Sequence, residues 1–523
     1  MQNLNNNLNK KKDKNEFSRL RSFFWPIYNH ELNKLIPMFF LFFLISFIYN
    51  LLRCIKISLI VTAPDSGAET IPFLKFCVVL PGAFILIYIF TKLSRYYNRK
   101  VVFYIMISIY MVFFTLFLFV IYPNKEYFEL KSISIFLLDS AFIPDGLGGL
   151  ISLIRHWPLA IFYGLCELWG NIILCMLFWG FANEVTKINE AKRFYAIFAL
   201  GANFSGIFSG QLGKYLTIYK YNTMIPFGKT AWEQTLFLQI NTIIVLGIII
   251  IILYWWLNKN VYHEYEDAFI TDNKKKNSIS LKSCFEYLTK SSYLCFIVIL
   301  VVSYNIVYNL SDVLFTHQAK TNFTDINHVN VYMNQITFFT GVLAVLSALF
   351  LSGNIIRRYG WTITAIITPI VWCISSLCLF SLLFYEDLVL KGIFSNILFN
   401  PANLILIFSS LQICFGRACK YTVFDETKEI AFIPLPKHEQ RKGKAVVDGI
   451  ASRIGKSGGS LIYLILLTLC GNLISTIPYV AVIIFIMIVL WIMSVINLGK
   501  MVNRAIDHEI KDAKVEDKPL IKL

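Results

Sequence analysis

Charge is scarce in this chain, and signatures of covalent or metal chemistry are scarcer. Asp, Glu, Lys and Arg make up 15% of the 523 residues, against 57% hydrophobic and 16% aromatic. Soluble domains carry about a quarter charged residues, so this balance points to a chain that lives in a membrane. The eleven cysteines contain no C-x-x-C pair, and most, such as Cys166, Cys175, Cys373 and Cys470, fall within apolar runs. Neither disulfides nor zinc are indicated. The seven histidines never form H-E-x-x-H. No cofactor and no metal is expected. The nearest approach to a catalytic motif is "GIASRIGKSGGSLIYLILL" (449–467), whose Gly455-Lys456-Ser457 copies the end of a phosphate-binding loop. That loop requires glycine at 450, where Ile450 stands, and it must open an amphipathic helix after a buried strand. Here it runs into an apolar stretch, and no soluble nucleotide-binding domain accompanies it. An ATP-hydrolysing pump is thereby disfavoured, and the chain is not expected to be an enzyme.

What is present is a series of long apolar windows. Crossing a hydrocarbon core takes about 20 mostly apolar residues, and twelve windows qualify: 35–56, 71–93, 100–122, 157–180, 194–216, 235–257, 293–316, 331–352, 361–384, 398–420, 446–470 and 476–498. They predict an all-α integral membrane protein of two six-helix halves, 24–257 and 293–498. A polar tail (1–23), a connecting loop (258–292) and a second tail (499–523) complete the chain. Short basic turns, "KLSRYYNRK" (92–100) and "NIIRRYGWT" (354–362), follow the second window of each half and hint at duplication. Segment 133–154 is apolar too, but Asp139, Pro144, Asp145 and its glycines predict an external loop helix rather than a span. The basic start leads into an apolar run too long for a secretory leader, without a small-residue cleavage site, so the first span is expected to be retained.

Lys and Arg mark the cytoplasmic loops. Lys10, Lys11, Lys12, Lys14, Arg19, Arg21, Lys274 to Lys276, Arg357, Arg358, Arg441, Lys442 and Lys444 all fall on one side, which predicts cytoplasmic termini. The formal charge of +16 reads as this bias together with attraction to anionic membrane lipid; nucleic acid is not an expected partner.

Ionisable groups inside spans cost about 2.5–3.5 kcal/mol each on insertion scales, so they survive where a cavity, partner or ligand compensates. Lys75, Glu167, Asp312 and Lys456 stand out, with Arg53 and Lys56 at the end of the first window. Helical spacing aligns Tyr163, Glu167 and Asn171 on one stripe, and Asn305, Tyr308 and Asp312 on another. Arg453, Lys456 and Ser460 align in the eleventh window, where Gly455, Gly458 and Gly459 offer a surface for close approach of backbone or ligand. Cationic and acidic stripes around one cavity suit a phosphate-bearing substrate with an aromatic base. The competing reading is plain: Arg53, Lys56 and Lys75 snorkel, the acids sit in interhelical ion pairs, and the glycines only pack helices.

Several strings resemble one family. "FWPIYNHELNKLIPM" (24–38), "IPFLK" (71–75), "ELWG" (167–170), "LFWGFAN" (177–183), "EAKRFYAIF" (190–198), "FDETKEIAFIPL" (424–435) and "KGKAVVDGIASRIGKSGG" (442–459) resemble the ATP/ADP translocases of obligate intracellular bacteria and plastids. The resemblance runs from about residue 24 to 498. It implies a fold similar to the major facilitator superfamily and import of host nucleotides across the inner membrane of an intracellular bacterium, most simply by ATP/ADP exchange. It also implies importance for the intramembrane residues that fall on Lys75, Glu167 and Lys456. Where the family's exchangers carry a pattern like N-L-V-E-x-x-W-K-x-K, this chain reads "NLSDVLFTHQAK", with Asp312 for Glu, Phe315 for Trp, and Thr316 and Gln318 for two cations. Ile57 likewise stands where Asp often follows R-x-x-K. These departures leave open proton-coupled uptake or exchange of GTP, UTP, CTP or NAD, and, more remotely, carriage of an unrelated organic anion. Lys75 and Lys456, with Arg453, are expected to ligate phosphates, while Glu167 and Asp312 hold those cations in the empty site; Asp312 has the alternative role of carrying a coupling proton.

Overall fold

The structure is a computed structural model that describes residues 27–138, 144–186, 188–261, 291–349, 353–384, 401–436, 440, 443–444 and 446–515. The expected tail 1–23, most of the loop 258–292, residues 139–143, and the basic residues Lys274 to Lys276, Arg441 and Lys442 lie outside them. Over its described residues every apolar window coincides with a long helix, as follows from the need of a lipid-embedded backbone to satisfy its own hydrogen bonds. Eleven helices are long and apolar enough to cross a membrane: α1 (Asn29–Val61), α2 (Thr70–Tyr96), α3 (Arg99–Ile121), α4 (Trp157–Val185), α6 (Ala231–Asn260), α7 (Ser292–Asn322), α8 (Ile326–Ser347), α9 (Arg358–Phe384), α10 (Ala402–Ile430), α11 (Ser452–Cys470) and α12 (Leu473–Arg504). The remaining one, α5 (Ile188–Tyr215), spans 28 residues and is diluted by Asn203, Ser205, Ser209 and Gln211. No strand occurs among the described residues. Segment 133–154 forms parts of two eight-residue helices, Lys131–Leu138 and Gly148–Arg155, as expected of a loop rather than a span. The helix begun at Leu473 continues to Val515, well past the expected boundary at 498.

The two sets of six helices repeat one packing scheme. Helix α1 packs on α4, α5 and α6, and α7 packs on α10, α11 and α12. Across the halves α5 meets α8, and α2 meets α11. Both basic turns occupy equivalent joints: Tyr97 and Asn98 separate α2 from α3, and Gly360, at φ 80°, makes the turn at the start of α9.

Interfaces without a large hydrophobic driving force use small residues to bring backbones together. Gly455 and Gly459 of α11 do so against α7: an added Cβ would lie 2.7 Å from Asn305 Cβ and 3.1 Å from Asn309 Cβ respectively. Of the two approaches that sequence left open at these glycines, backbone or ligand, Gly455 and Gly459 show that of backbone at a helix seam, while Gly458 of the three faces open space.

At the far end, where α1 finishes, the halves are joined directly. Lys320 donates to the Ser66 carbonyl, Thr235 Oγ1 donates to Asn327 Oδ1 at 3.0 Å, and Gln239 Nε2 donates to Asn330 Oδ1 at 2.9 Å. At the near end, where α1 starts, the ion pairs among the described residues stay within one half. Lys34–Glu190 and Arg193–Glu31, both 2.6 Å, belong to the first half, and Lys428–Asp448 at 2.8 Å to the second.

The seam is testable with one added methyl group. Gly455→Ala should destabilise the purified protein by about 1–3 kcal/mol, the cost of overpacking, and lower its thermal unfolding midpoint. Gly458→Ala should leave the midpoint unchanged or raise it; equal losses in both would contradict the packing described.

Candidate functional site

The central residues lie on α1, α2, α4, α7 and α10. Helix α7 brings Asn305, Tyr308, Asn309 and Asp312 to one face through i, i+3, i+4 and i+7 spacing. Asp312 is buried and serves two cations from opposite halves. Its Oδ2 accepts from Lys75 Nζ of α2 at 3.3 Å, and its Oδ1 accepts from Arg417 of α10 at 3.0 Å. Lys75 also donates to Asn309 Oδ1 at 2.8 Å. The Tyr308 hydroxyl joins the cluster, accepting from Arg53 of α1 at 3.0 Å and from Arg417 Nε at 3.1 Å. Next to these, Lys56 of α1 makes an ion pair with Glu167 of α4 and lies 4.6 Å from the centroid of the Tyr163 ring.

Lys75–Asp312 is the one ion pair among the described residues that joins the two halves, since each of the others lies within a half. The pairs inside the halves are mirror images in sign. Between the first and fourth helices of the first half the cation is on α1 and the acid on α4. In the second half the acid is on α7 and the cation on α10. Arg53, Lys56, Lys75 and Arg417 thus outnumber Glu167 and Asp312, leaving an excess of positive charge in a low-dielectric interior where attraction to an anion is strong.

A small cavity of about 40 Å³ lies between the halves beside this cluster. Asn50 and Arg53 of α1, Asn203 of α5, Thr337 and Thr340 of α8, and Tyr421 of α10 line it, next to Gly206 and Gly341, where α5 and α8 approach closely. Amides, hydroxyls and one tyrosine ring beside a cationic cluster are suited to a ligand that is planar and polar at one end and polyanionic at the other.

Of the residues singled out from sequence, Arg53, Lys56, Lys75, Tyr163, Glu167, Tyr308 and Asp312 are brought together. Their side chains do not snorkel: those of Lys56 and Lys75 are 4% and 13% exposed and are held by carboxylates. Asn305 lies on the α7 face but donates to the Val301 carbonyl of its own helix at 2.8 Å. Asn171 is half-buried in the stretch Gly170–Phe178, where α4 widens to i→i+5 turns. Lys456 and Arg453 are exposed on α11, and neither acid holds them, contrary to expectation. Arg453 lies 6.0 Å from the Phe84 ring of α2. Lys456 is in electrostatic reach of Cys175, Lys420, Tyr421 and Asp425. Residues 455–459 also spell G-x-S-x-G, but Ser457 Oγ donates to the Arg453 carbonyl at 2.7 Å within a continuous helix, not at the strand-to-helix elbow a nucleophile needs.

Sequence reasoning missed Arg417, Asn309 and the cavity amides Asn50 and Asn203. Arg417 carried a usable signal, being a charge inside the predicted tenth window in "LQICFGRACK". It is 3% exposed and sits three residues before a stretch of wide turns, Lys420–Phe424. Such segments recur at functional positions in helices. Glu167 stands three residues before the equivalent stretch in α4.

Residues 10–502 match the protein family described as "TLC ATP/ADP transporter". The chain is 40% identical over 496 residues to "ADP,ATP carrier protein 1" of Chlamydia pneumoniae, covering 94% of this chain and 95% of the relative. It is 34% identical over 497 residues to the protein of the same name from Rickettsia typhi, covering 94% and 97%. In fold it resembles a D-xylose-proton symporter of known crystal structure, with a TM-score of 0.55 at 11% identity over 90% of this chain and 97% of that one.

The α1–α4 pair offers a test of the geometry alone. Glu167→Ala strands Lys56 and should cost about 3 kcal/mol, the low end for breaking a buried pair, because the Glu167 side chain keeps 25% exposure. The exchanged double variant Lys56→Glu with Glu167→Lys should recover most of the thermal unfolding midpoint; a double variant no better than the single one would show that the two residues do not pair.

Proposed function

Because this chain belongs to the TLC ATP/ADP transporter family, whose members are multi-pass membrane transporters, we propose that it exchanges ATP for ADP across the inner membrane of an intracellular bacterium. It carries nucleotides intact and is not an enzyme. The observation that carries this reading is the cluster of Arg53, Lys56, Lys75 and Arg417 against two carboxylates at the mouth of the cavity between the halves. Phosphates replace the carboxylates as partners of these cations, and the base enters among Asn50, Asn203 and Tyr421. Lys456, which has no carboxylate of its own among the described residues, meets the phosphate chain from α11. Both termini face the cytoplasm, so the halves 24–257 and 293–498 are closed to the outside at the far end and part toward the cytoplasm.

ATP carries about one more negative charge than ADP at neutral pH. Moving that charge against an inside-negative potential costs about 2.3 kcal/mol per 100 mV, roughly a fiftyfold concentration ratio. Exchange in the importing direction therefore relies on the nucleotide gradients or on compensating charge. A second reading, uptake of GTP, UTP, CTP or NAD with or without protons, is favoured by α7. Thr316 and Gln318 replace cations there, both are buried, and the Thr316 hydroxyl donates to the Asp312 carbonyl at 2.7 Å.

Labelled ATP, GTP, UTP, CTP and NAD should be offered to expressing cells with and without preloaded counter-substrate and an uncoupler. ATP uptake should depend on internal ADP, resist the uncoupler, and release no phosphate. Uptake that collapses with the uncoupler and ignores preloading would overturn exchange in favour of proton coupling. Lys456→Glu should reduce uptake to background while the protein remains in the membrane; near-normal uptake would remove Lys456 from the site.

A further inference from the structure

The far-end closure contains a buried seam without ion pairs that is built of amides and hydroxyls. Gln239 of α6 and Thr217 beyond the end of α5 face Asn330 and Asn334 of α8, with exposures of 0%, 7%, 0% and 1%. Asn330 Oδ1 accepts from Gln239 Nε2 at 2.9 Å, Thr217 Oγ1 at 3.2 Å and Asn334 Nδ2 at 3.0 Å. Gly213 allows this approach, because a Cβ there would collide with Asn334 Oδ1. Three atoms in the same seam have no protein partner: Gln239 Oε1, Asn334 Oδ1 and Asn330 Nδ2.

An apolar seam of this burial would resist opening, since its surface meets water only at a cost proportional to area. Amides lose little on opening, because water replaces their mutual hydrogen bonds. Unpaired buried polar atoms oppose closure outright. Two leftover acceptors and one leftover donor are also the complement of one water molecule, which donates twice and accepts once.

We propose that the Gln239–Asn330–Asn334 seam is a water-binding catch that sets how readily the far end of the transporter opens. Water enters between α6 and α8, takes up the unpaired atoms, and then substitutes for the cross-half hydrogen bonds as the halves part. The inference rests on the reading of the protein as an exchanger whose far end must open to the outside. Opposite substitutions at one position move the balance in opposite directions. Gln239→Glu places a carboxylate where the partners of Gln239 among the described residues are Gly213, Thr217 and Asn330, none of them a cation, which favours the open end; Gln239→Met makes the seam more apolar and favours the closed end.

Ser66 reports on the opening, being buried at 4% with its carbonyl under Lys320. In a Ser66→Cys background, cells are treated from outside with a membrane-impermeant maleimide, and the labelling of the chain without that substitution is subtracted. Gln239→Glu should label at least fivefold faster than Ser66→Cys alone, and Gln239→Met should label more slowly. Asn334→Asp, which puts the charge on α8, should behave as Gln239→Glu does and serves if that variant does not reach the membrane. Unchanged labelling in a charged variant present in the membrane, or faster labelling in Gln239→Met, would overturn the proposal. The readout needs no substrate, so a protein whose uptake fails to discriminate nucleotides would count against the proposed exchange while the labelling still decides the catch.

Discussion

The Asp312 carboxylate is the point at which the two halves of the molecule meet electrostatically. One oxygen faces Lys75 of the first half and the other faces Arg417 of the second. A buried carboxylate in that position survives because it is paired with both cations, and it lowers the cost of burying them side by side. In the proposed exchanger this reciprocity makes the empty site resemble the loaded one. A phosphate that takes Lys75 and Arg417 replaces Asp312 as their anionic partner, so the cations need not be stranded while substrate arrives or leaves. Whatever breaks the Lys75–Asp312 contact removes the ion pair across the halves and leaves the Arg53–Tyr308 hydrogen bond beside it, which ties occupancy of the site to their relative motion.

The repeated packing scheme explains how such a site is built. Equivalent helices in each half present one ion pair, Lys56–Glu167 and Arg417–Asp312, with the signs exchanged between helices. Duplication supplies two similar frames, and the reversed signs let a cation of one frame face an acid of the other. Around this centre the far end includes exchangeable hydrogen bonds between the halves. Such a closure is compatible with repeated opening.

Much of the architecture was legible because the membrane leaves little choice. All twelve apolar windows are helical over their described residues, and the turns at 92–100 and 354–362 fell where charge and glycine placed them. The site was legible in part, for a physical reason shared by its misread members. Lys56 looked like a residue at the end of a window, but α1 continues to Val61 and carries it inside. Arg417 sat near the end of the window 398–420, yet α10 continues to Ile430 through the polar "DETKE", which hydropathy reads as loop. Gly455 and Gly459 have the composition of either a ligand surface or a helix seam, and only the position of α7 decides between them. The pairing of acids with cations was likewise out of reach, since it depends on which helices are neighbours.

The central claim is that Asp312 occupies the place of a phosphate and competes with substrate for Lys75 and Arg417. Equilibrium binding of ADP to purified Asp312→Asn, set against the unaltered protein, tests it most directly. If the carboxylate is a competitor, the variant binds ADP at least as tightly as the unaltered protein, and several-fold more tightly at low salt, where charge is least screened. Binding weakened tenfold or more, in a protein that unfolds at the usual temperature, would show that Asp312 contributes to the bound state and would contradict the account.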